Sequence, residues 1–333
     1  MSRITLLDGG TGRELKRIGA PFRQPEWSAL ALIEAPGYVT RVHAAYVAAG
    51  ADVITTNSYA VVPFHIGEQR FASSGARLAA LAGRLAREAA DAAPHGVTVA
   101  GSLPPICGSY RADRFDAAVA RPLLATLVTA LRPHVDHWQA ETLSLVEEAE
   151  LVREVVGADG KPLWLSFTLA EQGGEPRLRS GQPVAQAVAA ALRLEANAVL
   201  FNCSQPEVMG AAVTIAADLL AKRGSRGSGG TAAAGAARVS GAAGTPGPAR
   251  RPGELRIGVY ANAFPPQDAS AEANARLLEI RADLDPEGYL AFARDWVARG
   301  ARIVGGCCGI GPEHIARLRS ALAVTATEPT RQH

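Results

Sequence analysis

Residues 286–322 read PEGYLAFARDWVARGARIVGGCCGIGPEHIARLRSAL and contain one complete structural repeat of the chain. Apolar residues recur at helical spacing over 286–299, and Gly300 follows where a left-handed helix cap is common. A short apolar run rich in β-formers comes next, over 302–307. Pro312 then suits the first turn of a second helix. The stretch predicts a helix, a strand and another helix, which is the alternation of an α/β protein.

The same alternation extends along most of the chain. Further strands are predicted over 4–8, 53–57, 97–103, 135–141, 163–168, 198–203 and 255–262. Eight strand–helix units of roughly 38 residues each match a (β/α)8 barrel, or TIM barrel. A doubly wound sheet is the alternative, but Gly9-Gly10-Thr11-Gly12 lacks its G-x-G-x-x-G fingerprint. We therefore predict a single barrel domain over 1–325 and a short tail over 326–333.

One segment, 223–253, departs from this pattern. It holds nine glycines, five arginines and no acidic residue, and Val239 is its one large apolar side chain. Such a composition cannot bury enough apolar surface to offset the chain entropy, which predicts a flexible, disordered insertion between the sixth helix and the seventh strand. An arginine-rich arm that binds anions is the less favoured alternative.

The overall composition excludes several classes of protein. Hydrophobic residues make up 48% of 333 residues, which is enough for a large core. The formal net charge of +2 becomes −3 once the insertion is set aside, so no nucleic-acid partner is predicted. No apolar run approaches the roughly 18 residues of a membrane span, nor the form of a secretory signal. We expect a cytoplasmic protein that binds small molecules and no membrane; the oligomeric state stays open.

Three of the four cysteines lie where predicted strands end: Cys203 after the sixth, and Cys307 and Cys308 after the eighth. Thiols buried simply as small hydrophobic groups would show no such bias. Too few for a disulfide scaffold, the cysteines are expected to be free thiols, and a bridge between Cys307 and Cys308 would be strained. Three soft thiolates favour Zn²⁺ with an open fourth position, which is typical of a catalytic site. Cys107 has no partner in this pattern.

Taken together, the strand ends resemble the homocysteine S-methyltransferase family. The matching pieces are LLDGGTGREL at 6–15, the W-S and H-x-x-Y-x-x-A-G-A-D region at 27–52, TNSY at 56–59, GSLPP at 101–105, ET at 141–142, NC at 202–203, VYANA at 259–263 and GGCCGIGPEHI at 305–315. The resemblance covers essentially the whole chain outside 223–253. It implies a (β/α)8 barrel in which three cysteines hold zinc. It also implies methyl transfer from a cationic donor to the homocysteine thiolate, giving methionine.

The resemblance implies roles by position. Cys203, Cys307 and Cys308 would be the zinc ligands. The amino-acid end of homocysteine would bind Asp8, Glu141 and the backbone of Gly9, Gly10 and Thr11, and Asn262 would support substrate or zinc. Trp27 and Tyr59 would contact the cationic donor through their rings; Ser102 and Asn57 are weaker candidates. A turn or helix cap remains the alternative for Asp8, and ordinary packing for the two aromatic residues.

The donor and the class of function keep alternatives. Without a cobalamin or folate module, or a long C-terminal extension, the chain is most similar to members that use S-methylmethionine or S-adenosylmethionine. Betaine or another onium donor is the alternative within the family. A Schiff-base aldolase is disfavoured because Lys16, Lys161 and Lys222 do not end strands. A non-catalytic thiolate protein that binds zinc would give Asp8 and Glu141 no role.

Overall fold

The computed structural model describes residues 3–171, 174–227, 254–265 and 279–322. Eight strands alternate with helices along the described chain. The strands are β1 (Thr5–Leu6), β2 (Val53–Thr55), β3 (Thr98–Leu103), β4 (His137–Leu143), β5 (Leu163–Phe167), β6 (Ala198–Asn202), β7 (Arg256–Tyr260) and β8 (Ile303–Val304). The helices are α1 (Thr11–Arg17), α2 (Ser28–Glu34), α3 (Pro36–Ala48), α4 (Pro63–Ile66), α5 (Glu68–Asp91), α6 (Ala117–Leu131), α7 (Val146–Val156), α8 (Val184–Arg193), α9 (Pro206–Gly227), α10 (Pro286–Arg299) and α11 (Pro312–Leu322).

All strand pairs of the sheet are parallel, and their spatial order is β1-β8-β7-β6-β5-β4-β3-β2. A single parallel bridge between Leu7 and Val53 joins the first strand to the second. The ring of strands is therefore nearly closed, and the prediction of a (β/α)8 barrel is confirmed.

Strand side chains point alternately into the barrel and out toward the helices. The outward residues join one large apolar core with the helices. A smaller cluster fills the interior, and it includes Leu7, Val53, Ala100 and Leu200. Both faces of each strand are thus buried, which is why the strands read as short apolar runs in the sequence.

The first and last strands end earlier than the sequence pattern predicts. β8 covers two residues, although the apolar run extends to Cys307. The glycines after it allow close packing: a Cβ on Gly305 would collide with the side chain of Leu7 in the neighbouring strand. The residues after β1 and β8 stay joined by backbone hydrogen bonds, because the N–H of Gly306 donates to the carbonyl of Asp8 at 3.0 Å, and the two chain segments lie side by side at the mouth of the barrel.

The prediction of a disordered insertion is wrong for residues 223–227, because α9 continues through them. The rest of that segment, 228–253, and the predicted tail, 326–333, lie outside the described residues. The division into a single domain over 1–325 and a tail stays a prediction. Among the described residues, no helix is both long and apolar enough to cross a membrane.

Candidate active site

The three cysteines meet at the carboxyl ends of the strands. The sulfur atoms of Cys203, Cys307 and Cys308 all lie within 4.8 Å of one another. β7 brings them together, because it lies between β6 and β8. The backbone N–H of Cys203 donates to the carbonyl of Tyr260 at 3.2 Å, and that of Cys307 donates to the carbonyl of Ala261 at 2.8 Å. Two cysteines that are distant in sequence are therefore hydrogen-bonded to consecutive residues, Tyr260 and Ala261, at the end of β7.

Two of these cysteines are bonded to each other in the structure. Cys203 and Cys307 form a disulfide with their Cα atoms 5.7 Å apart, whereas Cys107 and Cys308 are free. The expectation of four free thiols is wrong in this respect, because the strand order places Cys203 and Cys307 at a normal bridging distance. A sulfur in a disulfide is not a thiolate. Binding of a metal by all three cysteines therefore requires the pair to be reduced.

The donor set fits a thiolate metal centre. Three sulfurs bound to one tetrahedral ion would lie about 3.8 Å apart, so Cys203 and Cys307 would have to separate on reduction, within a cluster that already gathers all three sulfurs inside 4.8 Å. The backbone is specialised here: Cys203 has a φ of 52°, and Gly309, directly after Cys308, has a φ of 87°. The hydroxyl of Tyr110 donates to the carbonyl of Cys203 at 2.9 Å and holds that conformation. Burial raises the pKa of the Cys308 thiol to about 11, and the nearby Arg13 opposes this shift.

Asp8 follows β1 and is buried at the same mouth. Its carboxylate accepts hydrogen bonds from the backbone N–H of Thr55 at 2.7 Å and from the Thr55 hydroxyl at 3.0 Å. Burial raises the pKa of Asp8 to about 7, although both bonds from Thr55 lower it. The N-cap of α1 is Gly10, without a side-chain bond, so Asp8 does not cap that helix. The side chain is held toward the barrel instead.

Glu141, in β4, is the second buried carboxylate. The hydroxyl of Ser102 donates to one oxygen, and the hydroxyl of Tyr260 donates to the other at 3.3 Å. Burial raises the pKa of Glu141, and these hydrogen bonds partly oppose the shift. The charge of Glu141 in turn contributes to the raised pKa of Asp8. Two nearby carboxylates with raised pKa values are typical of a functional site and favour a cationic ligand.

The glycine turn after β1 has a clear packing role. A Cβ on Gly9 would collide with the carbonyl of Ile310, and one on Gly10 would lie 2.5 Å from the carbonyl of Cys307. The N–H of Gly10 already donates to the carbonyl of Ile310 at 3.0 Å. Of the three backbone groups that the family resemblance assigns to a substrate carboxylate, this one is therefore used within the protein. Thr11 is the first residue of α1.

The two candidate donor-binding aromatics differ in their surroundings. Trp27 is buried, contacts the ring of Phe22 edge-on at 4.9 Å and lies against Gly12, which agrees with a packing role. Tyr59 lies at the mouth, where its hydroxyl is 2.6 Å from that of Ser109. Burial raises the pKa of Tyr59, and the charges of Glu141 and Cys308 add to this effect.

Two candidate asparagines shape the chain locally. The side-chain carbonyl of Asn262 accepts from the backbone N–H of Phe264 at 3.2 Å and forms the turn after β7. The side chain of Asn57 donates to the carbonyl of Ser28 at 3.1 Å, which ties the end of β2 to α2. Ser102, by contrast, reaches the site itself through Glu141.

Sequence reasoning missed Tyr110 and Tyr260, which contact the candidate site residues. Tyr260 precedes Asn262 by two positions in the β7 segment, and this spacing marks it as facing the interior. Tyr110 gives no comparable signal, because it lies in the loop after β3. Asn202 is a third such residue: it is fully buried, accepts from Ser166 at 2.8 Å and donates to Thr142 at 3.0 Å, and so joins three strands.

Thiols and carboxylates gathered at the carboxyl ends of eight parallel strands define a (β/α)8-barrel enzyme. Comparison with known proteins narrows this class. The homocysteine S-methyltransferase family model matches residues 5–322. The chain belongs to that family and is a methyltransferase that acts on homocysteine.

Individual relatives agree with this assignment. The homocysteine S-methyltransferase of Escherichia coli (strain K12) is 30% identical, over 95% of this chain and 94% of the relative. The S-methylmethionine–homocysteine S-methyltransferase of Rattus norvegicus is 26% identical, over 96% of this chain and 78% of the relative. The crystal structure of the homocysteine methyltransferase MmuM from Escherichia coli, in its metallated form, superposes with a TM-score of 0.69 at 26% identity, covering 96% of both chains.

Proposed function

We propose that this enzyme transfers a methyl group from S-methylmethionine, or secondarily from S-adenosylmethionine, to the thiolate of L-homocysteine in a zinc-dependent reaction that gives L-methionine. The observation that carries the proposal is the cluster of three cysteine sulfurs within 4.8 Å of one another, beside two buried carboxylates. A thiolate set is suited to zinc rather than to magnesium or calcium. The metallated form of the Escherichia coli relative supports a metal in this family.

Cys203, Cys307 and Cys308 would hold the ion once reduced. Bound zinc would lower the pKa of the homocysteine thiol and present a thiolate sulfur as the nucleophile. The protein contributes a rigid cradle. The backbone of Cys203 is hydrogen-bonded to the last residue of β7 and that of Cys307 to the residue after it, and the hydroxyl of Tyr110 donates to the carbonyl of Cys203. This cradle would orient the substrate sulfur, and the ion would supply its activation.

Asp8 and Glu141 would bind the homocysteine ammonium. Both are buried, and burial raises both pKa values, so each carboxylate is stabilised by a cation placed between them. Thr55 orients the first carboxylate, while Ser102 and Tyr260 orient the second. These contacts would fix the amino-acid end of the substrate while its sulfur points to the cysteines.

The donor would approach with its methyl group in line with the homocysteine sulfur. A new carbon–sulfur bond forms, and the donor's old one breaks with its electron pair returning to the departing sulfide. The leaving group departs neutral, so no general acid is needed. Tyr59 is the better placed of the two candidate aromatics to attract the sulfonium by a cation–π contact. The name of the rat relative supports S-methylmethionine as the donor.

The decisive experiment supplies donors one at a time. Reduced, zinc-loaded protein is incubated with homocysteine and with S-methylmethionine, S-adenosylmethionine, betaine or methyl-folate, and methionine is measured by mass spectrometry. A methyl-labelled donor shows whether the group itself is transferred. Product from S-methylmethionine at the highest rate is expected. Faster turnover with betaine would replace the proposed donor, and full activity after removal of zinc would exclude the zinc-dependent mechanism.

A further inference from the structure

A pocket of about 290 Å³ lies beside the candidate active site, between α1 and the loop that follows β8. Its lining includes Gly10 and Gly309, which belong to the two turns that carry Asp8 and the adjacent cysteines. The volume is close to the lower limit of about 300 Å³ for small-molecule sites. The pocket has room for an amino acid at the edge of the reaction centre.

Arg13 is a half-buried cation in the wall of this pocket. Its guanidinium carbon lies 5.4 Å from the ring centroid of Phe264. Its Nη1 is buried and has no hydrogen-bond partner within the described part of the chain. Arg13 also lies close enough to Cys308 for its charge to lower the pKa of that thiol. The pocket therefore holds a donor group that no described residue uses, and this group lies near Cys308.

The other basic residues of the pocket are placed differently. Arg17 is engaged with Glu14, at 2.7 Å between Nε and a carboxylate oxygen. Lys16 is exposed, with its ammonium 5.7 Å from the ring centroid of Phe22. Glu313, the second acidic residue of the lining, is exposed. Arg13 thus combines a buried, unpartnered donor with a planar fork that matches a carboxylate.

We propose that Arg13 binds the α-carboxylate of one of the two amino-acid substrates, either homocysteine or a sulfonium donor derived from methionine. The donor case rests on the proposed function, whereas the homocysteine case rests on the family assignment alone. Arg13 then determines specificity: it selects substrates that carry an amino-acid carboxylate over simple thiols or simple sulfonium ions. Because it is close to Cys308, it also directs the other end of the substrate toward the sulfurs.

The test is Arg13→Gln, examined with substrates that have or lack the carboxylate. The carboxylate-free partners are 3-aminopropanethiol for homocysteine and (3-aminopropyl)dimethylsulfonium for S-methylmethionine. The variant is expected to raise the KM of one amino acid by about 10- to 100-fold, the range for losing a charge-assisted hydrogen bond, and to leave the KM of its carboxylate-free partner unchanged. Arg13→Lys should restore part of the loss, because it keeps the charge but not the fork.

Lys16→Gln is the matched control, since it removes an equal charge from the same wall; a change below about twofold is expected, as for an exposed charge. A rise in KM in Arg13→Gln that is confined to homocysteine or to the donor supports the proposal and identifies the substrate that Arg13 binds. Unchanged KM values for both, or equal losses with the carboxylate-free partners, overturn it. If the wild type makes no methionine from S-methylmethionine, the proposed donor fails instead. Calorimetric binding of homocysteine to the wild type and to Arg13→Gln then still tests Arg13.

Discussion

The two ends of the barrel interior both contain polar side chains, but their chemistry differs. At the amino ends of the strands, the ring of His137 lies 4.1 Å from that of Trp164, and the guanidinium of Arg256 lies 5.9 Å from the same tryptophan. Arg256 donates to the Thr5 hydroxyl at 2.6 Å and to the Arg302 carbonyl at 3.2 Å. Burial lowers the pKa of His137 to about 4, so the ring is neutral at physiological pH. This end is filled by packed rings and by an arginine that is bonded within the protein, although Nε2 of His137 is buried without a hydrogen-bond partner among the described residues.

The carboxyl ends hold groups of a different chemical kind. Asp8 and Glu141 are buried with raised pKa values, three sulfurs converge, and Nη1 of Arg13 has no hydrogen-bond partner among the residues that the structure describes. The presence of polar side chains therefore does not by itself distinguish an active site from the structural end of a barrel. The carboxyl end is distinguished by buried carboxylates, thiols and an arginine, which together could bind a charged ligand. The comparison predicts that changes at the carboxyl end affect chemistry, whereas changes at the amino end affect stability.

The largest effect is expected from Cys308→Ala. Removing one of three ligands from a unit that acts together should lower methyl transfer by more than about a thousandfold and reduce bound zinc. Atomic emission spectroscopy and methionine formation measure the two quantities. Cys107→Ala is the control, because Cys107 lies outside the cluster, and it should retain both. Normal zinc content and activity in Cys308→Ala would exclude this cluster as the catalytic centre.

Trp164→Ala should show the reverse behaviour. Truncating this buried ring is expected to lower the free energy of unfolding by about 3–5 kcal/mol, measured by urea denaturation. The KM for homocysteine and kcat should stay near wild-type values at temperatures where the variant is folded. Phe64→Ala, at a ring that is 41% exposed, should cost less than about 1 kcal/mol. A Trp164→Ala protein that is folded but inactive would contradict the assignment of the amino end to stability and of the carboxyl end to chemistry.

Glu141→Gln is expected to raise the KM for homocysteine by about 10- to 100-fold, because the substrate ammonium loses a charged partner. Stability should not fall in parallel, since burial already disfavours the ionised carboxylate. Steady-state kinetics and urea denaturation separate the two quantities. Glu148→Gln is the matched control: that buried carboxylate accepts from the N–H of Ser144 and Leu145 at the start of α7. An unchanged KM in Glu141→Gln would remove Glu141 from the substrate site.

The last expected effect is a change in the pH dependence of stability in Asp8→Asn. The pKa of Asp8 is about 7 in the folded chain, above its ordinary value of 3.8. The contribution of this group to stability is therefore complete below about pH 3.8 and is lost as the pH rises through about 7. The slope is at most about 1.4 kcal/mol per pH unit. Asparagine can keep both contacts with Thr55 but cannot titrate.

Urea denaturation between pH 4 and 8 tests this expectation. The difference in unfolding free energy, variant minus wild type, should rise from pH 4 to 7 and then become constant. A difference that does not change with pH would show that Asp8 is not protonated by burial.

The fold and most of the candidate site residues could be predicted from the sequence, but some contacts could not. The ring of strands and the convergence of Cys203 with Cys307 and Cys308 follow from strand–helix periodicity, because parallel strands place their carboxyl ends on one face. Asp8 and Glu141 could be found for the same reason. Tyr110 could not, because its contact with Cys203 depends on how a loop folds back across the mouth. Trp27 was assigned to the donor by resemblance, whereas its surroundings are those of a packed ring.

The sequence by itself determined the barrel, the class of chemistry and the family, because these depend on the order of short apolar runs and on which residues end them. Only the tertiary structure decided which polar groups have hydrogen-bond partners within the protein and which are available to a ligand. The N–H of Gly10 donates to Ile310, and Arg256 donates to Thr5 at the amino end of the barrel. Nη1 of Arg13, at the carboxyl end, is buried without a hydrogen-bond partner among the described residues. The physical reason is that hydrogen-bond partners and burial arise from segments far apart in sequence.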